Sequence, residues 1–353
     1  MADKVKIGII GTGGISGVHM AGYKALPELV DVIAVCDIDE EKVKAYAARH
    51  NVPRWYTDAA VMMANEKLDA VSVCTWNSAH KIATVTALKG GAHVICEKPM
   101  AMNQFEALEM EAAAKEAGKL LMIGFVRRFG NDAEIVKKFI DAGSMGDIYY
   151  AKATYLRRNG FPGGWFGDKK FSGGGPLIDL GVHVMDLVRY LGGCPNPVSA
   201  YGVTYNNLGI NRAQGGQTWV STTVGAYKYD VEDFASALIR FDNGLTVSVE
   251  ASFNLNIKED MGNIEIFGTK SGVKLSPNIE FYTDANGMFI NLQPANASAL
   301  SFTGLFESEI AHFVDCVMGK TECRSPAKDG VVLMKMIDAI YESAATGHEV
   351  LIK

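Results

Sequence analysis

The strongest constraint on the fold is a series of short apolar segments that alternate with helical patterns between residues 5 and 124. The segments are continuously apolar and rich in valine and isoleucine, as in strands that are buried on both faces of a parallel sheet. This alternation predicts a doubly wound α/β domain over residues 1–124. The predicted strands are VKIGII, DVIAVC, AVSVCT, AHVICE and KLLMIGF.

A helix between the last two of these strands carries signals at both of its ends. Asn103 is a favourable N-cap residue, and Glu106 three positions later completes a capping-box pair. Gly118 is a typical residue for the C-terminal end of a helix. The segment NQFEALEMEAAAKEAG is therefore predicted to be helical.

The pattern changes after residue 125, where longer segments alternate only partly between apolar and polar residues. Asp242-Asn243-Gly244 between two of these segments is a strong hairpin signal. We predict an α+β domain over residues 125–353, with a mostly antiparallel sheet whose outer side faces solvent or another subunit. Two helices are expected near residues 306–319 and 327–346. The predicted strands are GDIYYAKATYLRR, PVSAYGVTY, VEDFASALIRF, GLTVSVEASF and NIEIFGT.

Charge and composition restrict the class of partner. The 353-residue chain has a net charge of −6, which argues against nucleic acid or an anionic membrane as a partner. No apolar run approaches the roughly 20 residues that a membrane helix requires, and the N-terminus lacks the features of a secretory signal. The six cysteines include no Cys-x-x-Cys pair and predict a reducing, cytoplasmic setting. The histidines form no metal-ligand pattern, so we expect no metal.

A glycine-rich loop follows the first predicted strand and opens a helix. Gly11, Gly13 and Ser16 form a G-x-G-x-x-S arrangement. In a dinucleotide site, Gly11 permits the tight turn, Gly13 admits the pyrophosphate, and a small Ser16 allows close packing of helix and strand. The N–H groups of the helix N-terminus would then bind the phosphates. A plain structural turn is the alternative for a glycine pattern taken alone.

An acidic residue at the end of the second strand favours the dinucleotide interpretation. Asp37 lies 21 residues after Ser16, close to the roughly 20 expected for a ribose-binding acid. Its carboxylate would accept hydrogen bonds from the ribose hydroxyls and repel a 2′-phosphate, and no arginine follows to hold that phosphate. The sequence therefore predicts a Rossmann domain that binds NAD in preference to NADP. The predicted cofactor contacts in this region are Gly11, Thr12, Gly13, Gly14, Ile15, Ser16, Asp37 and Ile38.

The segment GGGPLIDLGVHVMDL, residues 173–187, predicts a helix that starts from a flexible glycine run. We expect the glycines to let the backbone approach the cofactor. Asp179 and His183 lie one turn apart at the edge of an inward-facing apolar stripe. A histidine suits the base that takes a hydroxyl proton as hydride leaves carbon, and Asp179 would orient it or hold a second hydroxyl. A purely structural pair is the alternative. The predicted stripe consists of Leu180, Val184, Leu187 and Leu191.

The segment Glu97-Lys98-Pro99 ends a buried strand, at the sheet edge where ligands bind in open α/β folds. Lys98 would orient a substrate hydroxyl or share its proton. An exposed lysine beside a loop is the simpler interpretation of this residue when it is considered alone.

A long glycine-rich segment, residues 155–175, joins a strand to the predicted helix, and such loops commonly bind or cover ligands. Trp165 would stack on a sugar ring. Arg127 and Arg128 lie at the domain junction, and we expect Arg127 to reach the substrate and Arg128 to form an interdomain ion pair. The alternative for the loop residues is a solvated surface.

Taken in order, these motifs resemble the glucose–fructose oxidoreductase/inositol dehydrogenase (Gfo/Idh/MocA) family, and the match spans nearly the whole chain. The resemblance implies a Rossmann domain followed by an α+β domain with a large open-faced sheet, through which members commonly form dimers or tetramers. The matching segments are GIIGTGGIS, CDID, CTWNSAH, HVICEKPMA, GFVRRF, GGGPLIDLGVHVMDL, EIFGTKSGVKL and IDAIYESAATGHEV.

The resemblance also implies roles for individual residues. Lys98 matches the lysine of the family's Glu-Lys-Pro motif, and Asp179 and His183 match its catalytic aspartate and histidine. Arg157 and Asn159 match positions that face the polyol in inositol-type members. Further cofactor contacts implied by the match are Thr75, Asn77, His80, Glu97, Lys98 and Trp76, the last standing where many members have proline.

These features together predict an NAD-dependent dehydrogenase of a secondary alcohol on a cyclic polyol, sugar or glycoside, with the substrate between the cofactor and the second domain's sheet. Lys98 and Asp179 would position the hydroxyl, His183 would remove its proton, and hydride would pass to nicotinamide. The loop with Arg157 and Trp165 favours a sugar ring over free inositol. Two alternatives stay open: a redox-neutral glycosidase that holds NAD tightly, and a non-catalytic NAD-bound sensor.

Overall fold

The computed structural model describes residues 4–209, 221, 228–295 and 302–353. The chain divides into two compact units. The first consists of Met1–Phe129 with Ser301–Val331, and the second of Gly130–Leu300 with Val332–Lys353. The predicted domain division between residues 124 and 125 stays a prediction. The first unit also takes in a C-terminal segment that this prediction assigned to the second domain.

The first unit contains a six-stranded parallel sheet. Its strands are β1 (Val5–Ile10), β2 (Val30–Cys36), β3 (Arg54–Tyr56), β4 (Ala70–Val73), β5 (His93–Glu97) and β6 (Leu121–Gly124). Their order is β3-β2-β1-β4-β5-β6. All five predicted strands are present, and every residue of β4 and β6 is buried. The three residues of β3, two of them exposed, form no apolar run, so this strand was not predicted.

Both units contain α-helices within the described residues. They are α1 (Gly14–Lys24), α2 (Glu40–His50), α3 (Ala59–Asn65), α4 (Asn77–Lys89), α5 (Gln104–Ala117), α6 (Asn131–Asp141), α7 (Lys169–Ser172), α8 (Val182–Leu191), α9 (Phe302–Val317) and α10 (Ala327–Thr346). Both predicted C-terminal helices are thereby confirmed. None of the helices in the described ranges is long and apolar enough to cross a membrane.

The ends of α5 are those that the sequence predicts. The Asn103 side chain accepts a hydrogen bond from the Glu106 N–H at 3.0 Å. The Glu106 carboxylate accepts in turn from the N–H of Met102, one residue before the cap. Gly118 ends the helix with a φ of +62°, a conformation that costs glycine little.

The first unit also contains α9, which is far from the other elements in sequence. Ile310 and Phe313 of α9 belong to the same buried core as Ile7 and Ile9 of β1. Gly22 of α1 permits this packing, because a Cβ there would lie 2.9 Å from the Cβ of Ile310. The helix therefore completes the core of the parallel-sheet unit.

The second unit contains a nine-stranded sheet. Its strands are β7 (Ile148–Leu156), β8 (Pro197–Tyr205), β9 (Phe234–Phe241), β10 (Thr246–Ser252), β11 (Met261–Gly268), β12 (Gly272–Lys274), β13 (Glu280–Ala285), β14 (Met288–Leu292) and β15 (Val350–Leu351). Their order is β14-β13-β12-β11-β7-β10-β9-β8-β15. The pair β7–β10 is parallel and the other neighbours are antiparallel. This confirms the mostly antiparallel sheet, and Gly244 with φ +90° forms the predicted β9–β10 turn.

The predicted helix after the glycine run consists of two parts. Leu177–Gly181 forms a π-helical turn, and α8 continues from it. The prediction of a single inward stripe was wrong, because Val182 and Val188 are buried as fully as Leu187, while Leu180 is only half-buried. Neighbouring elements surround this helix on most sides, so its buried residues do not form the single apolar face that a helical periodicity predicts.

Candidate active site

The turn between β1 and α1 requires glycine at its first position. Gly11 has a φ of +90°, and a Cβ there would lie 2.6 Å from the carbonyl carbon and oxygen of Cys74. Around Gly13, by contrast, a Cβ would meet no atom within 4 Å. Gly13 is the N-cap of α1, and no side chain caps this end of the helix. The open space and the helix N-terminus suit the pyrophosphate of a dinucleotide.

The residues that open α1 lie around this turn in different ways. Gly14 and the half-buried Ile15 begin the helix. Ser16 is completely buried, and its hydroxyl donates a hydrogen bond to the Gly13 carbonyl at 2.6 Å. Ser16 thus stabilises the loop through this hydrogen bond, and its small side chain is the type expected where helix and strand pack closely.

Asp37 follows β2 and faces the same turn. Its carboxylate accepts hydrogen bonds from the Thr12 N–H at 2.7 Å and the Thr12 hydroxyl at 2.8 Å. Burial alone would raise the pKa of Asp37, but the bonds from Thr12 and Asp39 and the charge of Lys42 outweigh it and lower the pKa. Asp37 therefore presents a carboxylate beside the glycine loop, the charge state that accepts ribose hydroxyls.

Lys42 is a residue that the sequence reasoning missed. Its ammonium lies 3.0 Å from the Asp37 carboxylate, whereas the sequence predicted no basic residue beside this acid. The available signal was a basic residue in the first turn of α2, five positions after the acid. Ile38, the other predicted contact here, is largely exposed.

The turn after β4 brings a histidine to the end of β5. Trp76 is the half-buried N-cap of α4, and Asn77 is its buried first residue. His80 is buried, with Nδ1 2.7 Å from the Pro99 carbonyl and Nε2 3.2 Å from the Thr75 carbonyl. Burial lowers the pKa of His80, so a neutral ring with its proton on Nδ1 donates the shorter bond to Pro99. His80 therefore connects α4 to the Lys98–Pro99 segment.

The end of β5 holds the predicted lysine. Lys98 is half-buried, and the peptide bond between Lys98 and Pro99 is cis. The Lys98 N–H donates to the Glu97 carboxylate at 3.2 Å. Glu97 itself is buried and in contact with His19 of α1. The backbone on both sides of the Lys98 side chain is thus held by buried groups.

In the second unit, the glycine run before the π-helical turn makes close contacts with other segments of that unit. A Cβ on Gly174 would overlap the Tyr341 hydroxyl, and one on Gly175 would overlap the Glu232 carbonyl oxygen. Gly173 has a φ of +83°. Gly174 and Gly175 thus allow tight packing against Tyr341 and Glu232, and the expected approach of this backbone to the cofactor stays a prediction.

Glu232 is a second residue that the sequence reasoning missed. Its carboxylate accepts hydrogen bonds from the Gly175 N–H at 2.9 Å, the Leu177 N–H at 3.2 Å and the Tyr341 hydroxyl at 2.9 Å. Burial raises the pKa of Glu232 even though these bonds act in the opposite direction. The carboxylate anchors the start of the turn that carries Asp179.

Asp179 and His183 lie on this anchored segment. Asp179 is buried in the π-helical turn, and His183 is half-buried in the first turn of α8. The Tyr155 ring lies 6.4 Å from the His183 ring, centre to centre. π-Helical turns are rare and frequently occur at functional sites.

Tyr155, near the end of β7, contacts Arg157, which directly follows this strand. The Arg157 guanidinium donates to the Tyr155 hydroxyl at 2.9 Å and lies 3.2 Å from the Asp260 carboxylate. The structure therefore brings Arg157 towards His183 through Tyr155, a residue that the sequence reasoning did not select. The signal was its place in β7, two residues before Arg157.

The remaining predicted residues are placed differently. Asn159 forms a backbone bridge with Asn254, and Trp165 stacks on Phe166 with ring centres 3.9 Å apart. Arg127 is half-buried in the turn Val126–Phe129.

Arg128 is fully buried and pairs with Asp329 at 2.8 Å. Both residues belong to the first unit, so the expectation of an interdomain ion pair is wrong for this pair. Within the described ranges, no group of three or more His, Cys, Asp or Glu side chains could hold a metal ion.

Comparison with protein families gives two matches that together cover most of the chain. Residues 5–125 match the model described as "Oxidoreductase family, NAD-binding Rossmann fold". Residues 134–274 match the model described as "GFO/IDH/MocA C-terminal domain". The first description agrees with the parallel sheet of the first unit.

Similar proteins of known activity span nearly the same length. The chain is 34% identical over 353 residues to D-glucoside 3-dehydrogenase of Escherichia coli K12, covering 99% of this chain and 98% of that protein. It is 26% identical over 331 residues to the NAD⁺-dependent scyllo-inositol 2-dehydrogenase of Bacillus subtilis 168, covering 91% and 89%. A solved structure of levoglucosan dehydrogenase with NADH has the same fold, with a TM-score of 0.84, 24% identity and coverage of 99% and 100%.

Proposed function

The chain belongs to the GFO/IDH/MocA oxidoreductase family and is an NAD(P)-dependent dehydrogenase acting on CH–OH groups, and on this premise we propose that it oxidises a secondary ring hydroxyl of a glycoside. The observation that carries the proposal is the pair Asp179 and His183, one turn apart at a glutamate-anchored helix start. The 34% identity to a glucoside 3-dehydrogenase favours a glucoside and its C3 hydroxyl.

The proposed chemistry assigns one task to each residue. His183 takes the proton of the reacting hydroxyl, and Asp179 orients the imidazole or holds a neighbouring hydroxyl. Lys98 donates a hydrogen bond to the reacting oxygen and stabilises its developing negative charge. Bound NAD would supply the hydride acceptor, so that the alcohol carbon would become a carbonyl. The other ring hydroxyls would contact Arg127, Arg157, Asn159 and Trp165.

NAD is the proposed cofactor, with NADP less favoured. The lowered pKa of Asp37 keeps a negative charge where a 2′-phosphate would lie, although Lys42 beside it reduces the repulsion. The uncapped start of α1 and the open space at Gly13 suit the pyrophosphate. The proposed contacts are Gly11, Thr12, Gly13, Gly14, Ile15, Ser16, Asp37, Ile38, Thr75, Trp76, Asn77, His80, Glu97 and Lys98.

We also propose that the enzyme forms a homodimer or homotetramer through one face of the nine-stranded sheet. Tyr201, Tyr205 and Leu238 are exposed on β8 and β9, and exposed apolar groups on one sheet face favour association. Light scattering should then give two or four times the chain mass of 38.1 kDa. A monomer would refute this part of the proposal.

A cytoplasmic location is also proposed. The six cysteines, all in the described part of the chain, form no disulfide bond and three of them are buried, as is typical of proteins in a reducing compartment.

The test is NADH formation, followed by absorbance, with NAD or NADP and a panel of methyl glucosides, levoglucosan and scyllo-inositol. Wild type and His183→Ala are compared. We expect turnover with NAD on a glucoside, lost in the variant, and a 3-oxo product by NMR. Glycoside cleavage without net NADH would instead support the redox-neutral glycosidase. NADH binding without any turnover would support the sensor.

A further inference from the structure

A chain of buried polar side chains runs through the first unit behind the lysine segment. His19 of α1 places Nε2 2.8 Å from the Glu97 carboxylate and Nδ1 3.1 Å from the Ser72 hydroxyl. The Tyr23 hydroxyl lies 2.7 Å from the same Ser72 oxygen. His19 and Ser72 are completely buried, and Tyr23 and Glu97 nearly so. None of these four side chains transfers a proton in the proposed reaction.

The donors and acceptors of this chain can be placed in one consistent direction. A Glu97 carboxylate only accepts, so a neutral His19 ring donates to it from Nε2 and accepts at Nδ1. Ser72 then donates to His19, and Tyr23 donates to Ser72. The second Glu97 oxygen accepts the N–H of Lys98 at 3.2 Å. Every hydrogen bond therefore leads towards the carboxylate that holds the Lys98 backbone.

The location of the chain connects the two parts of the first unit that are proposed to contact cofactor and substrate. His19 lies in α1, whose N-terminus follows the glycine loop, and Glu97 ends β5 directly before Lys98. The absence of a side chain at position 124 makes room for this carboxylate, because a Cβ on Gly124 would lie 3.2 Å from Oε1 of Glu97. A small shift of Glu97 would move the Lys98 backbone.

We infer that His19 is a positioning residue, which acts through the Glu97 carboxylate to hold Lys98 in its working geometry. This inference rests on the proposed role of Lys98. Burying a carboxylate is costly unless hydrogen bonds satisfy it, and His19 supplies a bond to the oxygen of Glu97 that does not bind Lys98. Displacement of a catalytic group by about 1 Å can reduce a rate by about 100-fold.

Two substitutions separate this role from a general contribution to stability. In His19→Gln the amide nitrogen reaches the place of Nε2 and can donate to Glu97. In His19→Asn it reaches only the place of Nδ1, next to Ser72. His93→Leu is the matched control, since His93 is at the opposite end of β5 and its Nδ1 accepts the Leu120 N–H.

The first measurement does not require turnover. Acetic anhydride labels lysines, and mass spectrometry gives the acetylation rate of Lys98 relative to the distant Lys89. We expect His19→Asn to change the relative acetylation rate of Lys98 by about threefold or more, because a displaced amine has different neighbouring groups and a different solvent exposure. His19→Gln and His93→Leu should stay close to wild type. Equal Lys98 rates in His19→Asn and wild type would overturn the inference.

The second measurement uses the glucoside assay where wild type is active. His19→Asn should lower kcat about 10- to 100-fold with little change in the KM for NAD, and His19→Gln should recover most of it. Equal losses of kcat in both variants, in step with their melting temperatures, would show a structural role and overturn the inference. If wild type has no turnover but Lys98 labelling responds as expected, the proposed reaction fails while the positioning role stands.

Discussion

Replacement of Glu232 by glutamine tests the anchoring of the segment that carries Asp179. The carboxylate faces three donors, namely Tyr341 O–H and Leu177 N–H on one oxygen and Gly175 N–H on the other. Glutamine can direct its single carbonyl oxygen at one side only. If it keeps the bonds to Tyr341 and Leu177, its NH₂ group opposes the buried Gly175 N–H.

The expected cost follows from this mismatch. A buried N–H without an acceptor costs about 1–3 kcal/mol, and the two remaining bonds lose the strengthening that an ionised acceptor gives. Removal of a buried charge offsets part of this, because burial raises the pKa of Glu232. We expect a local destabilisation of about 2 kcal/mol, which corresponds to a factor of about 30 in an opening equilibrium.

Hydrogen exchange measured on peptides that cover residues 173–183 reports this change directly. In Glu232→Gln the exchange of this segment should be about 30-fold faster than in wild type. Tyr341→Phe is the matched control, because it removes one donor and leaves the carboxylate with both backbone N–H groups. Its effect should be about 1 kcal/mol, or roughly fivefold. Unchanged exchange in Glu232→Gln would refute the anchoring role.

The pH dependence gives a second check of the same argument. A carboxyl group whose pKa is raised on folding binds its proton more readily in the folded state. The stability linked to Glu232 is therefore complete below its ordinary pKa of 4.5 and is lost as the pH rises through the raised value. Glutamine does not titrate, so the stability difference between wild type and Glu232→Gln should shrink as the pH rises. A difference that grows with pH would contradict the argument.

Three further predictions concern the first unit. Asp37→Ser should raise the preference for NADP over NAD by about 100-fold, since about 1.5–3 kcal/mol of charged hydrogen bonding to the ribose is lost. The ratio of kcat/KM with NADP to kcat/KM with NAD measures this preference. The double variant Asp37→Ser, Lys42→Met should show a smaller increase in the ratio, because it also lacks the positive charge of Lys42. Burial lowers the pKa of His80, so its contribution to stability is present above the ordinary value of 6.5 and is lost as the pH falls through the lowered pKa; urea midpoints of His80→Asn should fall less on acidification than those of wild type, and an equal fall would contradict the assignment. Gly11→Ala should cost about 1–3 kcal/mol of backbone strain and weaken NADH binding, measured by fluorescence, whereas unchanged affinity would refute the tight-turn role.

Much of the fold could be predicted because its signals are local. The apolar segments of β1 and β4, the caps of α5 and the turn at Gly244 depend on residues that are close in sequence. The glycine loop and Asp37 are similarly local, because the conformation of the turn and the end of the next strand place them together. The helical repeat likewise predicted that Asp179 and His183 lie about one turn apart, although Asp179 lies in the π-helical turn and His183 in α8.

Other features were decided only in three dimensions. The sequence does not indicate that α9 completes the core of the first unit, that β7 and β10 pair in parallel, or that the helix before His183 starts with a π turn. Glu232 reaches Gly175 across 57 residues, and His19 reaches Glu97 across 78. A periodic pattern reports which side of an element is buried, but a buried polar group finds its partner wherever the packed chain brings a complementary atom. The sequence alone therefore determined the fold class and the candidate reacting groups, whereas the tertiary structure decided which buried side chains contact the segments that carry them.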